Sequence, residues 1–392
     1  MDRVNTRTSI ALLAGGHACV DVYQGAVAAL VPYFIAERHY SYAAASGIVL
    51  AASLLSSIAQ PLFGVLTDRW AMPWLIPAAT LTGGAGIALS GLTGSYPLTL
   101  VFAALSGVGV AAYHPESARI ARLASAGSHR AMAWFSTGGN IGFAVAPLLV
   151  AGLVATGGLT RTPFLAVPAI IGAAVSLPVL NALRRNRNEQ SGARLGTGPD
   201  DVPAFARLSL AVVLRSITFV GLSTFISLYA QQRNAGLEHA GTAALFLLYL
   251  GGVVGSLLGG SLAHRWDRVR VCGWSYAASV LTVAGLVWAP GPAMFVFVAL
   301  TSISLYVPFS LQVTLGQDYL PSRVGTASGI TLGLTVSIGG LASPVIGALA
   351  DATSLHTALA PLVLMPALGA LLFRTLTDPG VRVGAASPPA RV

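Results

Sequence analysis

The chain is 392 residues long, 55% hydrophobic and only 9% charged, where a water-soluble domain carries about 25% charged residues. That balance, with a mean hydropathy of +0.74, excludes a soluble globular domain and identifies an integral membrane protein. The net charge of +9 comes from 22 basic residues, all arginine; most lie between apolar segments, where they act as topology signals rather than as a nucleic-acid-binding face.

In chain order, the apolar segments are 10–35, 43–66, 74–93, 97–118, 131–156, 163–183, 206–230, 241–263, 271–289, 293–315, 324–350 and 356–376. Each is close to the roughly 20 apolar residues that a helical span needs. The runs are continuous rather than alternating, so twelve transmembrane helices are expected and not a β-barrel. Arg3 and Arg7 precede an apolar run too long for a signal-peptide core, which predicts a retained first span. Cys19 and Cys272 both lie inside apolar segments, indicating neither a disulfide framework nor a metal cluster.

Orientation follows from the arginines. If the segments alternate in direction, 18 arginines fall on the side of the termini, three (Arg38, Arg161 and Arg233) on the other, and Arg215 inside a span. That bias places both termini in the cytoplasm of a multi-pass plasma (inner) membrane protein. The polar stretch after Arg184 divides the chain into an N-terminal six-helix half (1–183), a cytoplasmic linker (184–205), a C-terminal six-helix half (206–376) and a cytoplasmic tail (377–392). A shift of 196 residues lays Tyr33 on Tyr229, Gly64 on Gly260, Leu66 on Leu262 and Arg69 on Arg265. Six spans per copy make this a parallel repeat, and such repeats place a substrate site between the halves near the midplane.

Gly64-Val-Leu66-Thr-Asp68-Arg69 resembles the GxLxDR signature of the major facilitator superfamily, and Gly138-Gly139-Asn140-Ile141-Gly142 with Pro147 resembles its glycine-and-proline antiporter motif. His17-x-x-x-Asp21-x-Tyr23, the stretch Tyr113-His114-Pro115-Glu116-Ser117-Ala118-Arg119, and Gln317 to Pro321 leading to Gly325-x-Ala-Ser-Gly329 resemble the fosmidomycin-resistance branch of drug exporters. The resemblance implies the major facilitator fold, an antiporter, and a kinked fifth span that seals the cavity against leak. One departure is that His264 stands where the second half would repeat Asp68.

The candidate residues have physical grounds of their own. His17 and Asp21 are four apart and share a helix face. Asp21 lies near mid-span, where an ionised carboxylate costs about 2.5–3.5 kcal/mol unless it faces a partner or a wet cavity. A carboxylate beside an imidazole can load and release a proton. Glu116 with His114 is read as a second acid–imidazole pair; the alternative is that Arg119, one turn on, neutralises Glu116. Asp68, Arg69, Arg119, Gly138, Gly142 and Pro147 are the gating candidates, with Gly64 permitting close helix approach beside the first two. Arg215 cannot lose its proton and sits too deep to snorkel, so it needs either a carboxylate partner, Asp21 or Glu116, or an anionic ligand. Gln24, Tyr23, Tyr113 and Tyr229 complete the expected substrate wall, with Phe219 and Tyr306 as further aromatic candidates.

The expectation is a monomeric, proton-coupled antiporter that exports a small organic compound, a fosmidomycin-like phosphonate or another antimicrobial, by alternating access. It uses no cofactor, and no GxxxxGK[ST] loop occurs, so ATP is not implied. The alternatives are proton-linked uptake of an organic anion on Arg215, an intramembrane enzyme with His114 and Glu116 as acid and base, and a non-transporting receptor.

Overall fold

The computed structural model describes residues 6–125, 129–185 and 199–379, and every regular element among them is helical. The helices are α1 (Thr6–Arg38), α2 (Tyr42–Arg69), α3 (Leu75–Ser90), α4 (Tyr96–Ala124), α5 (His129–Val154) and α6 (Ala166–Arg185), followed by α7 (Val202–Arg233), α8 (Ala240–Ala263), α9 (Arg268–Trp288), α10 (Ala293–Tyr319) and α11 (Val324–Ala352). The last span is built from α12 (Leu355–Leu359), a 3-10 turn (Ala360–Val363) and α13 (Leu364–Phe373). Pro361 falls in this 3-10 turn, and its ring nitrogen cannot donate to a helix ladder.

Eleven of these segments are long and apolar enough to cross a bilayer, among the described residues. The exception is α3, at 16 residues about 24 Å long, where 74–93 was expected to span. It stops at Gly91, which packs against Thr162 of the 3-10 segment Gly158–Leu165. The same segment delays the start of α6 to Ala166. Several other helices are longer than their apolar runs: α1 has 33 residues and α7 has 32, so both outreach a hydrocarbon layer of about 30 Å. Large apolar side chains cover the outside of the bundle, Leu281 and Val345 being 74% and 71% exposed. In water such a surface would associate; in a bilayer it is solvated.

Polar caps set several helix starts. Ser41 Oγ accepts from Ala44 N at 3.1 Å to begin α2, Asp201 Oδ1 from Ala204 N at 3.0 Å to begin α7, and Asp267 Oδ1 from Arg270 N at 2.8 Å to begin α9. Residues 186–198 and 380–392 lie outside the described residues, and with them most of the expected linker and tail.

Within the bundle α1 packs along α5, α4 along α2 and α3, α10 along α8 and α9, and α7 along α11, while α2 meets α11 and α5 meets α8. At the end formed by the α1–α2 turn these last contacts close. Tyr42 N and Ala43 N, the first amides of α2, donate to the Asp351 carboxylate of α11 at 2.8 and 2.9 Å. Gln232 of α7 donates to the Tyr42 hydroxyl at 3.0 Å.

Candidate functional site

A cavity of about 280 Å³ lies in the middle of the bundle, lined by α1, α2, α4 and α5 on one side and α7, α8, α10 and α11 on the other. It reaches Gln60 of α2 and Ser136 of α5, both on the side of the end where α1 begins and away from the Tyr42–Asp351 closure.

Asp21 is 4% exposed and sits between two imidazoles. Its Oδ2 is 3.2 Å from His17 Nε2, and its Oδ1 is 3.2 Å from His114 Nε2 of α4. The far nitrogens of both rings are committed: His17 Nδ1 lies 2.9 Å from the Phe135 carbonyl of α5, and His114 Nδ1 lies 2.8 Å from the Val110 carbonyl of its own helix. A carbonyl oxygen only accepts, so the hydrogen of each ring is on Nδ1. In the neutral state both Nε2 lone pairs therefore face the carboxylate, and a positive charge is needed between them. Phe135 stacks on His17 with centroids 4.4 Å apart, fixing the ring plane. All three residues reach the cavity.

The spacing of His17 and Asp21 on one helix face anticipates their contact, but the second imidazole comes from another helix. His114 and Glu116 are two apart, and residues at that spacing do not face each other on a helix. The expected His114–Glu116 pair is not what forms. Glu116 is fully buried away from the cavity and is held by the guanidinium of Arg119, whose Nε donates to Oε2 at 2.9 Å and whose Nη2 donates to Oε1.

Across the cavity, Arg215 is 2% exposed. Its Nε donates to Gln312 Oε1 at 3.1 Å, its Nη2 to Thr335 Oγ1 at 3.2 Å, and its Nη1 reaches the Leu305 carbonyl at 3.5 Å. The guanidinium carbon lies 5.2 Å from the centre of the Phe309 ring. Gln312 is itself held by the Tyr276 hydroxyl, which it meets at 2.8 Å. Among the described residues these hydrogen-bond partners are all neutral, so the salt bridge from Arg215 to Asp21 or Glu116 is absent from this arrangement.

Of the expected substrate wall, Gln24 and Tyr23 line the cavity, as do Phe219 and Tyr306, and Tyr113 and Tyr229 do not. Tyr113 is packed behind the cluster, its ring 5.9 Å from each imidazole. Tyr229 donates to the Val287 carbonyl at 2.6 Å, near His356 and the α9 end; depth in the span did not predict which face it presents. Residues that the sequence reading passed over include Asn140, Tyr249, Gln312 and Thr335. A lone glutamine in the apolar run of α10, and an asparagine inside a glycine motif, were the available signals.

The glycines of α5 act on α1. A Cβ on Gly138 or Gly142 would overlap the carbonyl oxygens of Ala14 or Ala18, and one on Gly139 would overlap Asp21 Oδ2 and His17 Nε2. Gly139 thus leaves room for the cluster itself. Pro147 lies inside α5 and borders a small pocket with Pro32 and Tyr33. Gly64 has no neighbour within 4 Å of where a Cβ would stand, so the close helix approach expected at the GxLxDR stretch is not made here. Arg69 is exposed, and the side chain of Asp68 lies outside the described residues.

A helical bundle sheathed in apolar side chains, with charged groups buried around a largely apolar central cavity, is the architecture of a multi-pass membrane transporter. The chain belongs to the Major Facilitator Superfamily, whose family model matches residues 13–344. It is 28% identical to the fosmidomycin resistance protein of Escherichia coli over 382 residues, covering 93% of this chain and 92% of that one. It is 27% identical to the uncharacterized MFS-type transporter YfnC of Bacillus subtilis over 386 residues, with 93% and 92% covered. Among solved structures, a bacterial homologue of the human lysosomal transporter Spinster in an inward-facing, occupied conformation shares the fold at a TM-score of 0.74 and 16% identity, over 100% of both chains. A mutant of the nucleoside transporter NupG does so at 0.76 and 13%, over 95% of this chain and 99% of that one.

Proposed function

We propose that the protein is a proton-coupled antiporter of the bacterial inner membrane that exports a small organic compound. The observation that carries this reading is the two-pole cavity: a buried carboxylate between two imidazoles on one wall, and a guanidinium with neutral partners on the other. The first pole is suited to hold a proton at an imidazole Nε2 against the carboxylate. The second is suited to receive an anionic group, since a guanidinium presents a fork of donors to phosphonate or carboxylate oxygens. The fosmidomycin resistance relative supports export of an antimicrobial. The arginine bias supports cytoplasmic termini, which makes the cavity end near Gln60 and Ser136 the cytoplasmic one. In this reading residues 1–183 and 206–376 are the two rocking halves of a monomer, joined by 184–205, and the Tyr42–Asp351 contact is the closed outer gate.

The test is flux of labelled substrate in proteoliposomes under an imposed pH gradient, with a compound panel that includes phosphonates. Asp21→Asn is expected to abolish flux driven by the gradient, and normal coupling in that variant would sink the proposal. The Arg215 environment also favours a second reading, proton-linked uptake of an organic anion. Vesicles of opposite orientation with opposite gradients separate the two by the sign of the flux.

A further inference from the structure

We infer that His17, Asp21 and His114 form a binding site for a divalent transition-metal cation of the zinc class, open to the central cavity. The ligand-capable atoms of the three residues all lie within 4.8 Å of one another. With metal–ligand bonds of about 2.0–2.1 Å, the edge of a tetrahedral zinc site is about 3.3 Å; here each imidazole Nε2 lies 3.2 Å from one oxygen of the carboxylate, His17 from Oδ2 and His114 from Oδ1, so a cation seated between the rings would take either or both oxygens of Asp21. Asp21 Oδ1 is buried and receives no aligned hydrogen bond, although His114 Nε2 stands beside it. A buried carboxylate oxygen left over beside two imidazole nitrogens is a vacant acceptor that a cation can fill.

The outer contacts match the same ligand. A metal-binding imidazole typically gives its other N–H to a carbonyl or carboxylate, which fixes the tautomer and the ring orientation. Here the Phe135 and Val110 carbonyls do this for both rings. Two imidazoles and one carboxylate suit zinc, nickel or cobalt and not calcium or magnesium, which take oxygen shells. Three protein ligands leave a fourth position for water or an anion from the cavity. The site is the one assigned above to the proton, but metal binding does not depend on that reading. A bound cation would take the Nε2 lone pairs that a proton would otherwise use, so metal and proton exclude each other.

The test is equilibrium binding to the purified full-length protein in detergent, without a gradient, so its outcome is separate from that of the flux assay. Titration with Zn²⁺ is expected to give one equivalent per chain, weakened about tenfold or more in His114→Gln and in Asp21→Asn, and unchanged when the exposed His39, His239 and His264 are replaced together. Co²⁺ bound to the wild-type protein is expected to show the intense visible bands of a tetrahedral site, a readout that needs no variant to fold. No binding up to millimolar Zn²⁺, retained binding in both cluster variants, or a weak octahedral Co²⁺ spectrum would each overturn the inference.

Discussion

At Arg215 a permanent charge is buried among an amide, a hydroxyl, a backbone carbonyl and an aromatic face. Such an arrangement holds the guanidinium in place while leaving its charge uncompensated, which is the condition for attracting an anion into the cavity. Arg215→Gln is expected to raise KM for an anionic substrate about tenfold or more, given roughly 1.5–3 kcal/mol for a hydrogen bond to a charged group. Arg215→Lys should not rescue it, because an ammonium lacks the planar fork that Gln312 and Thr335 hold open. Initial-rate transport measurements on the three proteins decide this; equal KM values would remove Arg215 from the substrate site. Only part of the site was legible at this scale. The contact of His17 with Asp21 follows from helical spacing, whereas that of His114 with Asp21 depends on how α1 and α4 pack, which spacing along one helix does not encode.

The helices themselves were legible wherever an apolar run was long and uninterrupted, because burial in lipid leaves the backbone no alternative to satisfying its own hydrogen bonds. The differences fall where local chemistry intervenes: α3 ends early at the Gly91–Thr162 contact, and a 3-10 turn containing Pro361 breaks the last span. Contacts between elements were the least legible, and the cap on α2 is the clearest case. Its first two amides are satisfied by Asp351, 309 and 308 residues away, so a helix cap also serves as a latch between α2 and α11. Replacing a cap carboxylate by alanine costs about 1 kcal/mol, which corresponds to about a fivefold shift in a two-state equilibrium. Asp351→Ala should therefore loosen this end. A cysteine placed at the fully buried Ser46 should react with a water-soluble thiol reagent about fivefold faster in that background, and an unchanged rate would mean that the latch carries no closing energy.

For the whole molecule, the closed end and the cavity face opposite directions along the bundle, so the cavity between Asp21 and Arg215 reaches toward one end only. In the alternating-access reading proposed above, turnover requires the α2–α11 and α7 contacts around Tyr42 to separate. Gln232 and Tyr42 meet by their side-chain tips at 3.0 Å, which makes them a reporter for that separation. In a background lacking Cys19 and Cys272, Tyr42→Cys with Gln232→Cys should be bridged by a short, reducible bifunctional thiol reagent. Bridging should stop flux while leaving substrate binding from the cavity side intact, and reduction should restore flux. Each single-cysteine protein treated in the same way should keep transporting. Full flux through the bridged protein would mean that this end does not open during transport and that alternating access takes another route.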